Sequence, residues 1–234
     1  MIYVILGTKA QLIKMAPIMA EMKERDIEYR YIGTGQHQET MDEIHGEFGI
    51  RPPDRFLVRS GDVVTMTGML IWFLKILLKV ARRDRSLFCE NEQGVALVHG
   101  DTISTLIGAI IAKRNGCTVA HVESGLTSGK LFDPFPEEIT RRLVFSIADI
   151  FFCPGEWAVS NIQNKRREIV NTKANTLSDS LKYALEENAR QPNLPVSDSE
   201  IFGVVSIHRT ENIASERRID RVVRILGEIS DIYP

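Results

Sequence analysis

Cysteine is scarce in this 234-residue chain, with Cys89, Cys117 and Cys153 the whole supply. An odd, widely spaced set offers neither a disulfide framework nor the paired spacing of a metal site, so reduced thiols and no metal are expected. Charge of one sign is missing too. Lys+Arg 29 against Asp+Glu 31 leaves a net charge of −2, and no global positive field exists to hold nucleic acid. No apolar run reaches the roughly 20 residues of a spanning helix. The nearest, "MTGMLIWFLKILLKVARRD" at 66–84, is interrupted by Lys75 and Lys79. It reads as an amphipathic helix, either buried, as in a dimer interface, or laid on a membrane surface by its basic end. The opening "MIYVILGT" lacks the basic n-region and long apolar core of a signal peptide, so a cytoplasmic location is expected. Internal repeats, low-complexity tracts, a G-x-G-x-x-G fingerprint and a Walker loop are all absent.

What is present is a rhythm of strand and helix. Short unalternating apolar runs stand at 2–7, 29–35, 56–59, 94–101, 117–123 and 149–154, each trailed by a helical pattern. Buried runs of this kind between helices are what a parallel sheet covered on both faces requires. A doubly wound, Rossmann-like α/β domain is therefore expected over residues 1–188. The stretch "ENARQPNLPVSDSE" loses periodicity and carries two prolines, which predicts a linker over 189–200. Residues 201–234 then offer one strand, "IFGVVSIHRTEN", and one helix, a pair that cannot cover its own apolar faces. They read as the first unit of an incomplete second domain.

Ligands of parallel sheets bind beyond the carboxyl ends of the strands. The first run ends in "GTKAQLIK", where Thr8 is a helix N-cap candidate and Lys9 and Lys14 sit on the opening turns. A helix N-terminus with cations suits an anion. The second ends in "GTGQHQETMD", which brings Gln36 and His37 to the same edge. "GVALVHGD" ends in His99 and Asp101, and "CTVAHVE" in His121 and Glu123. After it, Pro134 and Pro136 fix backbone angles, and Glu137 and Glu138 enter the first turn of a helix. Those two glutamates either complement the helix dipole or, at Glu137, join Asp101 and Glu123 across one crevice. Clustered carboxylates are expected to raise one another's pKa, which suits proton transfer at a weakly acidic carbon or an ether oxygen.

The blocks "GTKAQLIKMAPI", "GTGQHQETMD", "VHGDTISTLIGAIIAK", "HVESGL", "DPFPEEITRRL", "ANTLSDSL" and "SIHRTEN" follow one another in the order of the non-hydrolysing UDP-N-acetylglucosamine 2-epimerases, which this chain resembles over its whole length. The resemblance implies two Rossmann-like domains in a glycosyltransferase-B-like architecture, with a UDP-sugar in the cleft, here with the second domain truncated. It implies interconversion of UDP-GlcNAc and UDP-ManNAc without a cofactor: UDP leaves by elimination, giving a 2-acetamidoglucal, and adds back after reprotonation on the opposite face. On the matching positions, Asp101, Glu123 and Glu137 would be the acid/base carboxylates, with His208 and Lys14 near the phosphates. Lys9, Gln36, His37, Arg141, Arg209 and Glu211 would complete the substrate contacts, and a homodimer is expected.

The family pattern is not kept throughout. Lys9 stands where an arginine is common, keeping the charge but losing the bidentate fork. Thr127 replaces a further arginine, Phe135 stands where tryptophan is frequent, and Gln38 and Glu39 alter a loop that binds an activating second substrate in some bacterial members. Members also run on for well over a hundred residues, so full turnover is not expected of this polypeptide alone. Two alternatives stay open: a hydrolysing epimerase or glycosyltransferase-like enzyme using the same cleft, and a non-catalytic module acting with a partner.

Overall fold

The computed structural model describes residues 1–36, 38–58, 94–162, 167–190 and 215–232, with Gly68, Ile71, Trp72, Leu74, Lys75, Ile76, Leu78, Leu87, Phe88 and Val205 as further single positions or short pieces. The chain divides into two compact units, Met1–Arg190 and Gln191–Pro234.

Seven parallel strands form the sheet of the first unit: β1 (Ile2–Leu6), β2 (Tyr29–Gly33), β3 (Arg55–Phe56), β4 (Val95–His99), β5 (Thr118–Val122), β6 (Ile150–Cys153) and β7 (Glu168–Asn171). Their order is β3-β2-β1-β4-β5-β6-β7, so the winding reverses between β1 and β4. Side chains alternate across the sheet and feed two separate cores. Tyr3, Ile5, Val98 and Val119 face one, with Ile107 and Ile111 of α3 (Ile103–Arg114) and Val144 of α4 (Glu137–Ile147). Val4, Leu6, Leu97 and Val122 face the other, with Leu12, Met15 and Met19 of α1 (Lys9–Glu24) and Met41 and Ile44 of α2 (Gln38–Glu47). Burial on both faces explains why the strands read as continuous apolar runs instead of alternating ones.

The sheet positions predicted from the sequence are all occupied by strands, and one strand was not predicted. β7 was passed over because it has only four residues, begins at a glutamate and lies on the sheet edge, with partly exposed side chains. The expected run at 56–59 is cut short, with β3 covering only two residues. Of the amphipathic helix expected within 66–84, the described residues show Trp72 and Ile76 buried against the core while Ile71, Leu74 and Leu78 are exposed. Among the described residues no helix is long and apolar enough to cross a membrane.

Helix ends obey local chemistry. Thr8 and Gln11 make a reciprocal capping box at the start of α1, and Thr102 and Thr105 do the same for α3. Pro17 lies inside α1 and has no N–H to give the carbonyl of Ile13 one turn back. Ser180 of α6 (Leu177–Arg190) supplies the missing donor, its Oγ donating to Ile13 O at 2.6 Å. A short helix, α5 (Glu156–Ser160), precedes β7. α6 is described as far as Arg190, two residues into the expected linker. The remainder of that linker and the expected strand at 201–212 lie outside the described residues, apart from Val205. In the second unit the described helix is α7 (Glu216–Ile232), with Ile219, Val223, Ile225 and Ile229 exposed.

Candidate active site

Strands β1, β4 and β5 deliver their carboxyl ends to the place where the winding reverses. At the end of β1, Gly7 has no room for a side chain: a Cβ there would meet Thr34 Oγ1 at 1.9 Å and Ser104 Oγ at 2.2 Å. The close approach lets Gln11, only 2% exposed, accept from Gly7 N at 2.9 Å and Thr8 N at 3.2 Å. Its amide nitrogen donates to His99 O and to Thr105 Oγ1, both at 2.8 Å, which ties the ends of β1 and β4 together. Beside it Ser104 donates to Gln36 Oε1 at 2.6 Å. Gln36 is thus a buried polar brace at this edge.

Glu123 leaves β5 with φ 60, a left-handed conformation unusual for a residue with a side chain. Its carboxylate receives Lys14 Nζ at 2.7 Å on each oxygen and Asn175 Nδ2 at 2.7 Å on Oε1. His99 Nε2 lies 3.1 Å from Oε2 yet makes no hydrogen bond of acceptable geometry. Burial pushes the Glu123 pKa up, but the neighbouring His99, Lys14 and Asn175 pull harder, and the net direction is down. The expectation that clustered carboxylates raise one another's pKa therefore fails at Glu123. His99, Lys14 and Asn175 set its proton affinity, and it stands ionised at neutral pH.

Asp101 follows the turn at Gly100 and pairs with Arg141 of α4. Burial drives the His121 pKa down to about 4, so the ring is neutral, with Nε2–H donating to Gly100 O at 2.7 Å and Nδ1 accepting from Ser124 Oγ at 3.0 Å. This imidazole fixes the turn that presents Asp101. His99 is likewise pushed down to about 4 by burial.

Glu138 lies in the first turn of α4, as expected for a dipole-complementing acid, but it does more than that. It is 0% exposed and is the hub of the loop after β5. Its carboxylate accepts from Thr127 Oγ1, from Ser128 N at 3.2 Å, from Arg141 at 2.9 Å and from Arg142 at 3.1 Å. Burial raises its pKa, but those donors outweigh it and the net shift is downward. Glu137, one residue earlier, is half-buried, and its Oε2 is buried without a hydrogen-bond partner among the described residues. The loop itself carries exposed Leu131, Phe132 and Phe135.

The remaining predicted positions divide cleanly. Lys9 is exposed at the first turn of α1, and Arg141 bridges Asp101 and Glu138. His37, His208, Arg209 and Glu211 lie outside the described residues. The sequence reading missed Asn175 and Glu138 as site-forming groups. Asn175 was legible only as part of "ANTLSDSL", where it looks like an ordinary helix cap. An apolar cavity of about 170 Å³ lies next to Glu123 and Asn175, walled by Ile18, Leu97, Val122 and Phe152. Among the described residues no group of three His, Cys, Asp or Glu is placed to hold a metal ion.

The family model for UDP-N-acetylglucosamine 2-epimerase matches residues 20–234. The chain belongs to that family. Relatives include the UDP-N-acetylglucosamine 2-epimerase of Methanocaldococcus jannaschii, 35% identical over 98% of this chain and 62% of its own length. The Bacillus subtilis (strain 168) UDP-N-acetylglucosamine 2-epimerase is 30% identical over 98% of this chain and 60% of its own. Among solved structures, the M. jannaschii enzyme in complex with UDP-GlcNAc and UDP superposes with a TM-score of 0.77 at 30% identity, covering 99% of this chain and 63% of that one. The Neisseria meningitidis enzyme bound to UDP-GlcNAc gives 0.69 at 26% identity, over 82% of this chain and 50% of that one. The chain spans about 60% of the length of the curated epimerases it matches.

Proposed function

We propose that the protein is a UDP-GlcNAc 2-epimerase whose acid/base carboxylates are Asp101, Glu123 and Glu137, all carried by the first unit. The observation that carries this reading is the pairing of two carboxylates, at the ends of adjacent strands β4 and β5, each with its own cation. A carboxylate kept ionised by Lys14 is suited to take the C2 proton of a bound sugar. As that proton moves, the C1–O bond breaks, UDP leaves with the electron pair, and a C1=C2 double bond forms. A proton returned to the opposite face of C2, with the UDP oxygen re-adding at C1, gives the epimer. Glu137, whose buried Oε2 has no hydrogen-bond partner among the described residues, is assigned to the second face. Lys9 at the α1 N-terminus, together with His208, Arg209 and Glu211, is assigned to the diphosphate side, and Gln36 and His37 to the sugar side. A cytoplasmic homodimer completes the reading.

Incubating the full-length protein with UDP-GlcNAc in heavy water tests it. Deuterium at C2 with UDP-ManNAc as product supports epimerisation. Free UDP with ManNAc would transfer the assignment to hydrolysis, the outcome that Thr127 in place of an arginine would favour. No exchange at C2 refutes both.

A further inference from the structure

We propose that Asn175 is a positioning residue that holds Glu123 ionised and aimed, and that the first turn of α6 is built to fix it there. The role rests on the function proposed above, in which Glu123 handles the C2 proton.

The geometry leaves the Asn175 amide no freedom. Its Oδ1 accepts from Leu177 N at 2.9 Å at the start of α6, so its Nδ2 must face outward, where it donates to Glu123 Oε1 at 2.7 Å. The amide end that would repel a carboxylate is occupied, and the end that favours one is presented. The turn of helix behind it is itself anchored. Ser180 donates to the Ile13 carbonyl that Pro17 leaves without a helical partner, one residue before Lys14. Both groups that bind the Glu123 carboxylate are thereby tied to one joint between α1 and α6. Facing Glu123 from the other packed elements are Lys14 on α1, His99 on β4 and His121 on β5, with the Asp101–Arg141 pair beyond.

A residue that only caps α6 and a residue that tunes Glu123 respond differently to one substitution. Aspartate caps a helix as well as asparagine does. Asn175→Asp therefore keeps the bond to Leu177 N while placing a like charge where Glu123 had a donor. In the full-length protein we expect a thermal midpoint lowered at neutral pH and recovering in acid, a carbon-13 titration of the Glu123 carboxyl displaced to higher pH, and an acid limb of kcat/KM displaced the same way. At neutral pH a loss of about tenfold or more in C2 exchange is expected, the scale of one hydrogen bond to a charged group. Asn175→Ser, which keeps a cap oxygen but removes the amide N–H that reaches Glu123, should move the titration in the same direction by less, and it serves if the aspartate variant is unstable. A Glu123 titration identical to wild type in both variants overturns the proposal. The carboxyl titration needs no turnover, so a wild-type protein without C2 exchange would sink the epimerase reading while still deciding this one.

Discussion

The joint between α1 and α6 makes a quantitative prediction that does not depend on function. Pro17 deprives the Ile13 carbonyl of its helical donor, and Ser180 Oγ donates to that carbonyl at 2.6 Å. Ser180 is 2% exposed, so water is a poor replacement. Ser180→Ala should therefore cost the desolvation of an unsatisfied buried carbonyl, about 1–3 kcal/mol. For a chain of this size that lowers the thermal midpoint by roughly 2–4 °C for each kcal/mol. Pro17→Ala restores an N–H one turn below Ile13 and should make the serine dispensable. The cost of Ser180→Ala in the Pro17→Ala background is expected to fall by about 1 kcal/mol or more, a coupling readable by urea denaturation of the four proteins. Equal costs in the two backgrounds would refute the account, because Ser180 would then be acting through packing or its second bond to Thr176 O at 3.2 Å.

Other perturbations test other parts of the site. Gly7→Ala should destabilise by about 1–3 kcal/mol from overpacking, measured by denaturant melts, because its Cβ would land 1.9 Å from Thr34 Oγ1. Glu123→Gln and Asp101→Asn should abolish deuterium exchange at C2 while shifting stability by less than about 2 kcal/mol; a larger loss of stability in calorimetry would make these carboxylates structural. Glu138 and Glu123 both have folded pKa values depressed below the ordinary carboxylate range, so each contributes stability fully present above that range and lost as pH falls through the folded value. Glu138→Gln should accordingly lower stability most near neutral pH and progressively less in acid, and a difference independent of pH would contradict the ion-pair account. Lys14→Met should flatten the same acid dependence through Glu123 and weaken C2 exchange, with the Asp101–Arg141 pair untouched.

The sheet was legible because burial on both faces writes itself as uninterrupted Val, Ile and Leu, and six runs of that kind stand clear of their surroundings. β7 escaped for the converse reason. An edge strand of four residues between charged and polar neighbours has only one flank to bury, so composition says little about it. The site was half legible. Strand-end rules place Asp101 and Glu123 at one edge, since they need only chain direction and sheet order. What they cannot supply is which partner each carboxylate meets, because that depends on residues distant in sequence. Lys14 and Glu123 are 109 residues apart, and Asn175 and Glu123 are 52 apart.

That gap changes the chemistry inferred, and not only its detail. Two carboxylates on neighbouring strands, taken alone, predict mutual repulsion and a raised pKa. With Lys14 on one and Arg141 on the other, each acid instead has its own cation. A reaction that takes a proton from one face of a carbon and returns one to the other is better served by that arrangement than by a shared proton. Glu138 serves the same end from below. By binding Arg141 and Arg142 together with the backbone at Ser128, it fixes the cation on Asp101 to the loop that ends at Glu137. The second of two adjacent glutamates is thus spent on holding the loop, while the first keeps a buried oxygen that has no partner among the described residues.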